Sequence, residues 1–297
     1  MSYSVETKNL CFSYGNQTVL AGVDLKVSSG SFYALLGCNG IGKTTLLKIL
    51  VGLLVPSDGS AAILGHDSRQ LRRDDWLSIG YMSESQKIYD WLTGEEVIAF
   101  TRKLYRNWDQ AFCKRLEKQM RLPLKQKVSR YSKGDRVKLI LLLAMAFHPR
   151  VLLLDEPFSG LDVLSKEQLI SCLLDTTKQE EWSVLFTSHD LAEVERLADE
   201  VGLIDGGKMK ISEPLVSLQN RFRTVEVFGV GTLPQMDISA WQPHLKNGVL
   251  TYIETAFPGS RRHDLLQRWG DQTKVMPMAL REIVLAFLTE FNPMDSA

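Results

Sequence analysis

The sequence predicts an α/β fold, a sheet of mainly parallel strands covered by helices, followed by a small α+β extension. Three observations predict it. From Val151 onward, short apolar runs alternate with helical stretches, the pattern of parallel strands joined by helical crossovers. A glycine-rich loop, Gly37 to Thr45, lies between a strand-like run and a helix-like one. The 297 residues are 44% hydrophobic and 24% charged, sufficient to bury a sizeable core and long enough for about two domains.

Residues 1 to 30 read as β-structure, because Val19, Ala21, Val23, Leu25 and Val27 alternate with Leu20, Gly22, Asp24 and Lys26. Period two with one apolar face marks a half-buried strand. Phe32-Tyr33-Ala34-Leu35-Leu36 is the strand before the glycine-rich loop, and the helix after it opens near Lys43 and runs through Leu46, Leu47, Ile49 and Leu50. Pro56 to Ser60 is a turn cluster, and Ala61 to Gly65 a short strand. Between residues 95 and 121, Val97, Ile98, Phe100, Leu104 and Tyr105, then Phe112, Leu116 and Met120, recur among charges as in amphipathic helices. Val151–Leu154, Val184–Thr187 and Val201–Ile204 are buried strands. After Pro214 the pattern shrinks to strand-like Thr224–Val227 and Val249–Ile253, helix-like Asp264–Trp269, then Val275–Met278. A final amphipathic helix carries Leu280, Ile283, Val284, Phe287 and Leu288 on one face. The expected organisation is residues 1–214 as one domain, with a helical subdomain at about 87–150, and 215–297 as an accessory domain.

Composition excludes several function classes. Lys+Arg and Asp+Glu both count 35, for a formal net charge of zero, so no global field attracts a polyanion and no nucleic-acid partner is expected. The most apolar long stretch, Leu139 to Phe147, falls far short of the ~20 residues of a membrane span. The polar start Met1-Ser2-Tyr3-Ser4 lacks a signal peptide's basic and apolar regions. Cys11, Cys38, Cys113 and Cys172 have no metal-ligand spacing and fit reduced thiols. The expectation is a cytosolic chain unless something holds it at a membrane.

The loop Gly37-Cys38-Asn39-Gly40-Ile41-Gly42-Lys43-Thr44-Thr45 carries the first chemistry. Glycines let such a loop curl until successive N–H groups point inward, where they and the helix N-terminus cradle phosphate oxygens. Lys43 is then placed for the β- and γ-phosphates and the Thr44 hydroxyl for Mg²⁺, so a nucleoside triphosphate is the expected ligand. The second motif is the apolar run Val151–Leu154 ending in Asp155 and Glu156. The C-terminal edge of a buried strand is where α/β folds place ligands. There Asp155 would hold Mg²⁺ through its water shell, and Glu156 would orient or deprotonate the water attacking the γ-phosphate.

Between these motifs stands Tyr131-Ser132-Lys133-Gly134-Asp135, shortly before an apolar helix with Val137, Leu139, Ile140, Leu143 and Ala144. Alone it would be an ordinary helix N-cap; its position gives it weight. Ser159-Gly160-Leu161-Asp162 follows Glu156, and His189 follows the strand Val184–Thr187. With these in order, residues 1–212 resemble the nucleotide-binding subunit of an ATP-binding cassette (ABC) transporter. The resemblance implies a P-loop NTPase of ABC type: a mixed sheet core, an antiparallel β-subdomain and a helical subdomain. It implies ATP and Mg²⁺ as cofactors, with Lys43, Glu156 and His189 catalytic and Thr44 and Asp155 on the metal. Gly37, Asn39, Gly40, Gly42, Lys43, Thr44 and Thr45 would bind the phosphates, and Tyr14, in Phe12-Ser13-Tyr14-Gly15, would stack on adenine.

By the same resemblance, Ser132 and Gly134 form the signature motif, which closes over the γ-phosphate held by another subunit, and Asp162 belongs to the D-loop that crosses the dimer interface. Catalysis then needs a homodimer or a heterodimer. The extension loosely resembles that of exporter-type cassettes of the drug, antibiotic and lipid group, whose transmembrane permeases are separate chains. This implies a cytoplasmic protein held peripherally on the inner face of the membrane. Two other readings stay open: a soluble cassette ATPase acting on nucleic acid or ribosomes, and a catalytically weak partner in a heterodimeric transporter. The transported substrate leaves no mark, since substrates contact the permease.

Departures from the family pattern are specific. Lys133 and Asp135 replace the first glycine and the glutamine of the usual Leu-Ser-Gly-Gly-Gln, and Cys38 stands where proline is frequent. In Ile79 to Gln86, Glu84 aligns with the usual Q-loop glutamine and Gln86 lies two residues later; both remain candidates. Ile88, Tyr89, Trp91 and Leu92 follow, and exposed aromatics there would suit a docking surface for the permease.

Overall fold

The computed structural model describes residues 2–257 and 267–290. The chain divides into two compact units, Met1–Ser212 and Glu213–Ala297. The elements of the first unit, in order, are β1 (Tyr3–Tyr14), β2 (Gln17–Ser28), β3 (Phe32–Leu36), α1 (Lys43–Leu50), β4 (Asp58–Ile63) and β5 (His66–Asp67). Then come α2 (Arg73–Trp76), β6 (Ile79–Met82), α3 (Gly94–Arg102), α4 (Gln110–Met120), α5 (Lys133–Met145) and β7 (Val151–Leu154). Finally come α6 (Val163–Glu180), β8 (Ser183–Ser188), α7 (Leu191–Leu197), β9 (Glu200–Asp205) and β10 (Lys208–Pro214), whose last two residues belong to the second unit.

One sheet runs β10-β9-β3-β8-β7-β6, and its inner pairs are parallel. Strands β3, β7 and β8 are buried along their whole length, which is why they read as continuous apolar runs rather than alternating ones. The second sheet, β2-β1-β4-β5, is antiparallel. Val23, Leu25 and Val27 of β2 face the core as the alternation predicts, but toward the hairpin the buried residue is Leu20, with Val19 and Ala21 only half-buried. The pairing steps from Leu10↔Val23 to Cys11↔Ala21, so Gly22 is an extra residue, and this bulge moves the apolar phase to the neighbouring positions. The predicted turn Pro56–Ser60 is also corrected: Asp58 to Ser60 already belong to β4, drawn into pairing with Lys8 and Cys11 of β1.

In the helical region, Thr93 and Glu96 cap α3 reciprocally, with Thr93 N donating to Glu96 Oε2 at 2.7 Å and Glu96 N to Thr93 Oγ1 at 3.2 Å. Val97, Ile98, Phe112, Leu116 and Met120 are buried as the periodicity predicts, whereas Phe100 and Leu104 are exposed. Leu104 lies beyond the end of α3. The Phe100 ring packs edge-on to Tyr89, whose ring also meets Trp91 at 4.9 Å.

The second unit holds α8 (Leu215–Arg221), β11 (Arg223–Phe228), β12 (Ala240–Lys246), β13 (Val249–Glu254), β14 (Thr273–Pro277) and α9 (Leu280–Glu290). Its antiparallel sheet has the order β12-β13-β11-β14, and Val225, Val227, Leu250 and Tyr252 form its core. Phe222, Trp241 and Phe287 make a separate ring cluster, with Trp241 and Phe287 edge-to-face at 5.0 Å. Sequence periodicity misses β12 because its pairing skips between Trp241 and His244, leaving Gln242 with φ 52° and the strand largely exposed. Of the expected helix Asp264–Trp269, residues 264–266 lie outside the described residues, and Gln267 to Trp269 are helical.

Candidate nucleotide site

Strands β3, β8 and β7 lie side by side, with Leu36 opposite Ser188 and Leu154 opposite Phe186. The residues after each strand therefore leave the sheet on one edge: Gly37 to Thr45, then Asp155 and Glu156, then His189. Sequence-distant chemistry meets there because the strands are parallel and in register.

Gly42, the residue before α1, has φ 114°, and a Cβ on it would lie 2.8 Å from a Leu20 methyl and 2.9 Å from one of Val19. Only glycine meets both demands. No side chain caps this helix and no acid stands in its first turn, so its positive end faces a cleft of about 350 Å³ whose walls include Asn39, Gly40, Thr45 and Glu84. The Lys43 side chain, 5% exposed, turns back into this cleft. Its Nζ donates to Gly37 O at 2.6 Å and sits 3.4 Å from Glu156 Oε1. A buried ammonium requires such partners.

Asp155 is fully buried at the end of β7. Its Oδ1 accepts from Thr44 Oγ1 at 3.0 Å and from Thr187 Oγ1 at 3.0 Å, while Oδ2 has no hydrogen-bond partner among the described residues. An unpartnered buried carboxylate oxygen is costly. Beside the Thr44 hydroxyl, it makes an oxygen donor set that suits a hard cation such as Mg²⁺.

Glu156 adopts φ 49°, a left-handed conformation that costs a non-glycine residue about 1–3 kcal/mol. The neighbouring strand secures it, since Glu156 N donates to Thr187 Oγ1 at 2.8 Å. The bend brings its carboxylate between Lys43 and His189, whose Nδ1 lies 2.8 Å from Glu156 Oε2.

Of the two Q-loop candidates, Glu84 lines the phosphate cleft. Gln86 folds back instead, accepting from Ser83 N at 3.3 Å, and lines a second cleft with Tyr89, Trp91 and Arg136. Tyr14 lies outside the phosphate cleft, half exposed at the tip of the β1–β2 hairpin with its ring edge-on to Phe12 at 4.8 Å.

Ser132, Gly134 and Asp162 lie elsewhere in the unit. Ser132 caps α5: its Oγ accepts from Asp135 N at 3.0 Å and donates to Asp135 Oδ2 at 2.7 Å. Asp162 caps α6 by accepting from Ser165 N at 2.9 Å, a bond that holds its carboxyl below the usual carboxylate range. Gly134 packs against Ser165, and the Lys133 side chain lies over Gly160. The N-terminus of α5, capped by Ser132 and carrying Asp135 in its first turn, thus stands apart from the cleft in front of α1.

Sequence reading misses Thr187 as part of this centre, whereas Ser159, read within the D-loop segment, and Cys38, read within the phosphate loop, both line the cleft. A threonine ending a buried apolar strand beside His189 is a weak signal, and only the register with β7 shows that it touches both Asp155 and Glu156. Cys38 is exposed and lines the cleft. Cys113 and Cys172 are buried, which pushes their thiols up to about 12 and about 11.

Comparison with known proteins agrees with this architecture. Residues 20–159 match the family model described as ABC transporter. The bacitracin transport ATP-binding protein BcrA of Enterococcus faecalis is 32% identical over 232 residues, covering 77% of this chain and 75% of that protein. The lantibiotic transport ATP-binding protein SrtF of Streptococcus pyogenes is 31% identical over 217 residues, 73% of this chain and 93% of that one. Among solved structures, an ATP-binding subunit of an ABC transporter superposes with TM-score 0.66 at 29% identity, over 73% of this chain and 92% of the other. With a phosphate loop, a buried acidic strand end and a histidine gathered on one sheet edge, and with relatives of this length and identity, the chain belongs to the ABC transporter family as one of its ATP-binding proteins.

Proposed function

We propose that this chain is the ATP-hydrolysing subunit of an exporter and that it powers a separate membrane permease. The observation that carries the reading is the Glu156 carboxylate, held between Lys43 and His189 at the mouth of an uncapped helix. The N–H groups of the loop and of α1 bind the phosphates, and Lys43 exchanges its contact with Glu156 for the β- and γ-phosphates when they arrive. Freed from Lys43, Glu156 orients the attacking water and takes its proton. His189 holds the Glu156 carboxylate from the other side and contacts the γ-phosphate. Thr44 and Asp155 would hold Mg²⁺, which when bound neutralises charge on the phosphate oxygens.

Ser132 and Gly134 act on the nucleotide of a second subunit, identical or homologous, because they lie away from the cleft of their own chain. Tyr14 supports the adenine, and Glu84 serves as the Q-loop residue. ATP closes the pair by favouring the closed population, and hydrolysis reopens it. The exporter assignment is supported by the relatives named for bacitracin and lantibiotic transport. Among the described residues no helix is long and apolar enough to cross a membrane; in this reading the permease supplies the membrane path and holds the chain at the membrane's inner face. Residues 215–297 brace the assembly as an accessory domain. The test is Glu156→Gln: ATP binding is retained, phosphate release falls about 100-fold or more on the scale of general-base catalysis, and ATP traps a dimer. Turnover at the unsubstituted rate would remove Glu156 from the chemistry.

A further inference from the structure

Behind the loop that carries His189 lies a charge cluster outside the phosphate cleft. Lys166, in the first turn of α6, places Nζ 3.0 Å from Asp190 Oδ2 and 2.6 Å from Glu193 Oε1. The second oxygen of Glu193 accepts from Ser188 Oγ at 2.6 Å. Ser188 Oγ in turn accepts from Asp190 N at 3.0 Å. Both neighbours of His189 are thereby tied, directly or through Glu193, to one ammonium.

Glu193 is buried, and a buried carboxylate is stable only with its charge paired and both oxygens occupied. Here Lys166 occupies one oxygen and Ser188 the other. The mutual pull is visible in the titrating groups: the bond to Glu193 holds the Lys166 ammonium above its ordinary value, and Lys166 holds Asp190 below the carboxylate range. Lys166 also ties back to the start of α6, its N–H donating to Asp162 O at 3.0 Å.

His189 itself is loosely held. Its side chain is 54% exposed, and its one hydrogen bond among the described residues runs to Glu156. The direction of the imidazole therefore depends on the backbone of Ser188 to Asp190, the segment that the cluster fixes.

We infer that Lys166 is a positioning residue for ATP hydrolysis: by clamping Asp190 and Glu193 it fixes the backbone on both sides of His189 and aims the imidazole at the Glu156 carboxylate. The inference rests on the reading that Glu156 and His189 act on ATP. A clamp that only stabilised the fold would change melting temperature and nucleotide affinity together, and would not separate turnover from affinity.

The experiment compares full-length Lys166→Met, Lys166→Arg and Asp190→Asn with the unsubstituted protein in steady-state hydrolysis of MgATP, nucleotide binding and thermal melting. In Lys166→Met, kcat is expected to fall roughly 10- to 100-fold, the upper figure being the cost of misplacing a catalytic group by about 1 Å, while KM stays within about twofold. Lys166→Arg, whose guanidinium can still bridge two carboxylates, restores most of the loss. Because Lys166→Met leaves Glu193 buried without its cation, Asp190→Asn is the companion. Asparagine keeps the cap that Asp190 Oδ1 provides to Ala192 N at 3.0 Å but removes one arm of the clamp, and kcat should fall at constant nucleotide affinity, with only the small drop in melting temperature that loss of a part-exposed ion pair brings. Unchanged kcat in both Lys166→Met and Asp190→Asn overturns the inference. So does a loss of affinity and stability in Lys166→Met that arginine does not repair. Hydrolysis that survives Glu156→Gln would instead overturn the reading beneath it, whatever the Lys166 variants do.

Discussion

Gly134 and Ser165 meet where the first turns of α5 and α6 cross, so closely that a Cβ on Gly134 would lie 2.6 Å from the Ser165 hydroxyl and 3.0 Å from its Cβ. Each helix is capped beside this contact by its own side chain, Ser132 on α5 and Asp162 on α6. The two N-termini thus pack with no room for an added methyl group between them.

Gly134→Ala is therefore expected to force α5 and α6 apart. The purified variant should keep nucleotide binding, which uses the cleft in front of α1, and lose most of its hydrolysis. Adding Ser165→Gly supplies the missing space and should recover part of the activity. A Gly134→Ala protein with undiminished turnover would show that the contact tolerates an extra methyl group.

Lys43→Ala should abolish triphosphate affinity, since its buried ammonium faces the phosphate cleft. If the signature residues serve a partner's nucleotide, mixing Lys43→Ala subunits with Ser132→Ala subunits creates dimers with one intact site and one doubly damaged site. Activity should partly return in the mixture. With exchange of subunits verified, a mixture as inactive as either parent would refute the shared site or require both sites at once.

Tyr89 and Trp91 are 53% and 63% exposed, and with Phe100, 52% exposed, they form an aromatic patch beside the second cleft. Contiguous exposed aromatics at this density suit a docking surface. Co-expressed with its permease, the chain should sediment with membranes, and Tyr89→Ala with Trp91→Ala should release it without lowering ATP affinity. Unchanged sedimentation of the double variant, with its melting temperature intact, would place docking elsewhere.

The pair Lys166–Asp190 sets a pH window. Asp190 has a depressed folded value, so its contribution is present above the ordinary carboxylate range and is lost as acid takes pH down through the folded value. Lys166 has a raised folded value, so its contribution is present below the ordinary lysine range and is lost as pH climbs through the folded value. The melting temperature should be level across neutral pH with respect to this pair. Asp190→Asn should flatten part of the acid limb; an acid limb identical in both proteins would assign the decline to other carboxylates.

The parts of the site that are contiguous in the chain were legible from the sequence. Gly37 to Thr45 and Asp155-Glu156 each place a strand end and its chemistry within a few residues, so residue type and spacing suffice. What depends on pairing between distant segments was not legible. The double contact of Thr187 with Asp155 and Glu156 needs the register of β7 with β8, and that Glu84 and Gln86 line different clefts depends on a local turn, Ser83 N donating to the Gln86 side chain, that residue type does not specify. Strict alternation puts Leu20 on the wrong face of β2, because it does not register the bulge at Gly22. Strand β12 was missed for a related reason, its apolar period being broken at Gln242 and Pro243.

The thiol of Cys38 opens onto the space where triphosphate is received, whereas Cys113 and Cys172 are shut inside the protein and Cys11 is partly covered. The chain thus carries an accessible thiol at the mouth of this cleft, a native reporter of its occupancy. Bound ATP would shield this position, so the rate at which a maleimide modifies Cys38 would fall as nucleotide fills the cleft, a readout that needs no engineered cysteine.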